Sequence, residues 1–120
     1  MQNFNSRDAG SINDIVSKCH DQARKAGWWE KDREIGTLLM LCVSELAEAM
    51  EGARKNLQDD HLPHRKMLEV ELADAAIRIF DIAGFYGFDL GGAIQDKLAY
   101  NRARSDHKVE NRLKEGGKGF

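Results

Sequence analysis

The chain has 120 residues, 42% of them hydrophobic and 32% charged, with 11 Gly and one Pro. That is enough apolar material for one folded domain, and it excludes a chain left disordered for want of a core. Eighteen Lys+Arg against 20 Asp+Glu leave a net charge of −2, which excludes a general nucleic-acid binder but leaves room for one small anionic ligand.

Scarce proline and plentiful Ala, Leu, Glu, Lys and Arg favour helix. Ser11 is the predicted cap of a first helix running to about Lys25, with Ile12, Ile15, Val16, Cys19 and Ala23 on one stripe. Gly27 stops it, and Trp28 and Trp29 follow in the connection. Asp32 is the predicted cap of a second helix to about Asn56, through Leu38, Leu39, Cys42, Val43, Leu46, Ala49, Met50 and Ala53. The stretch 56–63 holds the only proline and reads as a loop. A third helix spans about His64 to Tyr86 and is apolar on more than one stripe, which points to burial on several sides and to a subunit interface. Gly87 ends it, and Asp89 starts a fourth helix to about Arg104. No segment alternates with a period of two. The predicted fold is an all-α four-helix bundle over residues 1–104, followed by a charged, Gly-rich tail at 105–120.

Cys19 and Cys42 lack metal-ligand spacing and fall in apolar-periodic segments, so both are expected to be buried, reduced thiols. No apolar run suggests a signal peptide or a membrane span, and the expectation is a cytoplasmic protein.

The strongest motif is an internal near-repeat. The second helix carries Glu45-Leu46-Ala47-Glu48-Ala49, and the third carries Glu71-Leu72-Ala73-Asp74-Ala75. Acids three residues apart on a helix lie roughly 60° apart, on one face. Each pair borders its apolar stripe, so antiparallel packing of the two helices would bring four carboxylates together. Unpaired anions in such a place raise one another's pKa and call for a cation. Two readings stay open: a metal site, or two ordinary salt-bridged faces. An all-oxygen donor set suits Mg²⁺ or Mn²⁺. A di-iron bundle would need Glu-x-x-His on two helices, and none of His20, His61, His64 and His107 has a Glu three residues before it.

With these motifs the chain resembles the MazG-like all-α nucleoside triphosphate pyrophosphohydrolases, whose signature is Glu-x-x-Glu followed at a distance by Glu-x-x-Asp. The resemblance runs from about Leu38 to Arg104 and includes Lys97, Asn101 and Arg104, which look like the family's Lys-x-x-x-Asn-x-x-Arg segment. The closing Gly-Gly-Lys-x-Phe is similar to a compact, often phage-encoded branch. Many members have two further glutamates where this chain has Leu41 and Cys42.

The resemblance implies hydrolysis of a (deoxy)nucleoside triphosphate to the monophosphate and pyrophosphate, in nucleotide-pool control, with a lean to dGTP or GTP. It assigns Mg²⁺, with Mn²⁺ as a substitute, to Glu45, Glu48, Glu71 and Asp74, and makes Glu48 the candidate general base. Lys97, Asn101 and Arg104 share a helix face suited to triphosphate and sugar contacts. Trp28 and Trp29 are candidate base-stacking surfaces, although paired aromatics also seal bundle ends. Lys118 is a candidate phosphate contact from the tail. The expected assembly is a homodimer or homotetramer, with no nucleic-acid polymer and no membrane as partner. The alternative is a non-catalytic helical dimer that binds a nucleotide or a protein, its acids forming a structural ion site.

Overall fold

The computed structural model describes residues 3–104 and 116. Lys118 and the rest of the predicted tail lie outside the described residues, Gly116 apart. The first helix, α1 (Ser6–Lys25), starts earlier than the apolar periodicity suggests. The reason is Asn5. Its side-chain oxygen accepts the Asp8 N–H at 3.0 Å, and the Asp8 carboxylate accepts the Asn5 N–H at 2.9 Å. This reciprocal pair satisfies two helix-end donors. Ser11 is therefore not a cap; it lies inside α1, and its hydroxyl donates to the Arg7 carbonyl at 3.1 Å.

Glu34, and not Asp32, caps the second helix, α2 (Ile35–Lys55). Its carboxylate accepts the Gly36 and Thr37 N–H groups at 2.7 Å each, and these bonds hold it below the usual carboxylate range. Asn56, in the left-handed region at φ 52°, ends α2. The loop after it is tied by Asp59, a buried residue that accepts the His61 and Leu62 N–H groups at 3.0 and 2.8 Å. Helix α3 (Met67–Tyr86) consequently starts just after the predicted point. Gly87, at φ 68°, ends it as expected. Asp89 caps α4 (Leu90–Ala103) by accepting the Gly92 N–H at 2.8 Å. The all-α expectation holds, and there is no strand among the described residues; Gln58 and Lys66 form only an isolated bridge.

Two compact units divide the chain: 14–88, and 1–13 together with 89–120. In the first, α2 and α3 run antiparallel, with Gly52 beside Met67 and Glu45 beside Arg78. A Cβ on Gly52 would stand 2.8 Å from the Met67 Cβ, so only glycine permits this approach. Leu38, Cys42, Ala49, Ala75 and Ala83 are buried, with Val16 of α1. In the second unit, Asn13 accepts the Gly91 N–H at 2.8 Å, and Arg102 donates to Asn3 at 2.8 Å.

Both cysteines are free thiols, Cys42 buried and Cys19 half-buried. Desolvation pushes each above the ordinary thiol value, as expected for thiols that pack and do not react. Among the described residues, no helix is long and apolar enough to cross a membrane.

Candidate metal centre

The two acid motifs meet in the 14–88 unit. One carboxylate oxygen each from Glu45, Glu71 and Asp74 lies within 4.8 Å of the others, and all three side chains are half-buried. Antiparallel packing accounts for this: Glu45 sits on the α3-facing side of α2, and Glu71 and Asp74 sit one turn apart on α3. Arg78, one turn beyond Asp74, donates from Nε to Glu45 Oε1 at 3.0 Å.

The electrostatics follow from that crowding. A hydrogen bond with Glu45, then desolvation, then the charges of Glu45, Asp74 and Glu48 push the Glu71 carboxyl up to about 7. Glu45 is held low by the same bond with Glu71 and by Arg78. The proton of the pair therefore resides on Glu71, because the guanidinium stabilises charge on Glu45. Asp74 is raised as well, by desolvation first and the Glu45 charge second.

The donor set fits a hard cation. It is all oxygen, which suits Mg²⁺ or Mn²⁺, and three oxygens within 4.8 Å of one another are near enough to draw in around one ion. Glu48 is not in the group. It is exposed and lies roughly 60° around α2 from Glu45, and it reaches the cluster through its charge on Glu71. His61 and His64 are exposed loop residues outside the cluster.

Glu45 and Asp74 also line a cavity of about 450 Å³. Lys18, Arg33 and Arg78 bring three cations to its wall, and Trp28 brings an indole that is 64% exposed. Arg33 lies over both indoles, 5.8 Å from the Trp28 ring centroid and 5.0 Å from that of Trp29. The two tryptophans differ in their surroundings. Trp29 is fixed: its Nε1 donates to Asp81 at 2.8 Å and its ring stacks on Phe85 at 4.1 Å. Asp81 is buried and also meets His20 Nδ1 at 2.8 Å.

Lys97, Asn101 and Arg104 belong to the other unit. The Lys97 Nζ stands 4.6 Å from the Tyr100 ring centroid, and the Arg104 guanidinium 5.5 Å from it. Arg104 is the capping residue after α4, with extended backbone, and the buried Asn101 Oδ1 has no hydrogen-bond partner among the described residues.

Sequence reasoning missed Arg78, Lys18, Arg33 and the Asp81 network. Arg78 and Asp81 had a signal, since they follow Asp74 at i+4 and i+7 on the same α3 face. His20 had none, because its partner is 61 residues away. Comparison of the chain with protein-family models, with curated proteins and with solved structures finds no match.

Proposed function

We propose that Glu45, Glu71 and Asp74 hold a divalent cation, Mg²⁺ or Mn²⁺, and that the chain hydrolyses a (deoxy)nucleoside triphosphate to the monophosphate and pyrophosphate. The observation that carries the reading is the convergence of three carboxylate oxygens from two helices within 4.8 Å, at the wall of a cavity that also presents Lys18, Arg33, Arg78 and Trp28. Acids alone would suit any cation. Acids facing three cations and an indole suit an anionic ligand with a flat ring, bound partly through metal.

Lys18, Arg33 and Arg78 would neutralise phosphate oxygens, and Arg33 and Arg78 can offer paired N–H groups to them. Trp28 would give a base a stacking surface. A bound Mg²⁺ supplies charge neutralisation at phosphate oxygens and a more acidic water. Glu48, exposed at the cluster's edge, is the carboxylate proposed to take a proton from the attacking water. Lys97, Asn101 and Arg104 are proposed as further phosphate and sugar contacts on the strength of their motif. The same proposal includes a MazG-like bundle arrangement and a role in the nucleotide pool, with dGTP the first substrate to try.

The test is a panel of nucleoside triphosphates incubated with Mg²⁺, the products separated by chromatography. Monophosphate with pyrophosphate is expected, and a loss of at least 100-fold in Glu71→Gln and Asp74→Asn. Diphosphate with orthophosphate would refute the reaction. No turnover together with a Mg²⁺-dependent rise in melting temperature would leave the structural ion site instead.

A further inference from the structure

Asp81 is a buried carboxylate that lines the cavity without belonging to the acid cluster. Its Oδ1 carries both of its hydrogen bonds, with Trp29 Nε1 and His20 Nδ1, each at 2.8 Å. An ionised carboxylate only accepts, so the imidazole hydrogen sits on Nδ1. Two donors from separate segments, α1 and the connection after it, fix where the carboxylate stands. The other oxygen, Oδ2, accepts nothing among the described residues, and it is not sealed in. The cations of the cavity are otherwise placed: Arg78 pairs with Glu45, and Arg33 lies over the two indoles. A nearly buried oxygen held in place without a donor is an acceptor open to a ligand.

Its place along α3 says which ligand group it meets. Asp74, Arg78 and Asp81 fall at i, i+4 and i+7, on one helix face, about 10 Å from first to last. All three line the cavity, and so does the exposed indole of Trp28. A metal-binding carboxylate, a guanidinium, then an acceptor in a cavity with a stacking surface follow the order of groups along an extended nucleotide. We propose that Asp81 Oδ2 accepts an N–H from the exocyclic amino group of the base, so that the cavity selects amino-bearing bases over those with a carbonyl oxygen at that edge. The proposal rests on the nucleotide reading given above. Stacking on Trp28 tolerates any base, so selection falls to the edge contact. A fixed anion there rewards a donor and repels a carbonyl oxygen, and a base without the donor leaves the carboxylate unpaired.

Calorimetric binding of non-hydrolysable α,β-imido deoxynucleoside triphosphates with Mg²⁺ tests it, so that turnover plays no part. The cytosine and uracil analogues differ by an amino group against a carbonyl, as do those of adenine and hypoxanthine. Guanine and hypoxanthine differ by one amino group. In at least one of these pairs the amino member is expected to bind about 10-fold tighter or more. Asp81→Asn separates the contact from cavity shape. The indole N–H requires an oxygen, so the amide oxygen stays on Trp29 and the NH₂ group takes the place of Oδ2. The acceptor becomes a donor, and the preference is expected to shrink to about 3-fold or less, or to reverse. Equal affinity within every pair for the parent would overturn the proposal and leave the nucleotide reading standing. Failure of all the analogues to bind would overturn both. A folded Asp81→Asn protein that keeps the parent's preference would also refute it. If that variant does not fold, the ratios measured on the parent decide.

Discussion

Arg78 donates to Glu45 at 3.0 Å, so the α2 member of the acidic cluster already has a counter-charge. A cation held at the cluster, as proposed, would compete with the guanidinium for one carboxylate. Both residues line the same cavity wall, so in the proposed reading Arg78 would leave Glu45 for a phosphate oxygen bound there.

Replacing Arg78 by Gln should therefore tighten Mg²⁺ binding while weakening triphosphate binding. A unit charge at this range, discounted for the partial exposure of the pair, is worth about 1 kcal/mol, or about fivefold in the Mg²⁺ dissociation constant. Calorimetric titration of Mg²⁺ alone checks the first half and KM the second. An unchanged Mg²⁺ affinity would show that Arg78 does not compete for Glu45.

The Glu71 carboxyl, raised to about 7, gives the protein a pH signature. Between its ordinary value near 4.5 and about 7, the native state holds a proton that the unfolded chain releases, so stability falls as pH rises through that window. Glu45, held low, works the other way at more acid pH: its contribution is lost as pH falls through its lowered value. In chelator, the urea midpoint should drop between about pH 5 and 7.5, and Glu71→Gln should flatten the drop. Mg²⁺ added near pH 6.5 should expel the proton, read as a dependence of binding heat on buffer ionisation enthalpy.

Asp81 accepts from Trp29 and meets His20, both at 2.8 Å, from a buried position. Asp81→Ala leaves the indole N–H and the imidazole without this partner and should cost about 2–3 kcal/mol. Urea unfolding measures the loss, and a changed Trp fluorescence maximum reports release of the indole. Asp81→Asn, which keeps an acceptor, should restore the fluorescence and part of the stability.

What the sequence made legible was local. Gly87 and Asp89 marked their helix ends because a left-handed residue and a capping carboxylate act within one turn. Asn5 and Glu34 escaped notice because their caps precede the first apolar stripe that announces each helix. The acid repeat pointed to the cluster, yet which acids join it depended on how α3 meets α2: Glu45 joins Glu71 and Asp74, and the exposed Glu48 stays at the edge. The union of His20, Trp29 and Asp81 was illegible, since no periodicity encodes a contact between separate helices.

Gly84 shows how closely the cavity's geometry depends on such a contact. A Cβ there would stand 2.5 Å from the Cβ of His20 and 2.9 Å from its Cγ, so α1 rests directly on the α3 backbone. Gly84→Ala must push α1 outward, at a cost of about 1–3 kcal/mol. The same displacement would shift Lys18 and Cys19, which wall the cavity, so nucleotide binding should weaken along with stability. Gly10→Ala is the contrast: a Cβ there meets nothing within 4 Å, and it should stabilise α1 by about 0.5–1 kcal/mol. Thermal melts of both variants measure the opposed shifts. A Gly84→Ala protein as stable as the parent would mean that α1 and α3 are not in this close contact.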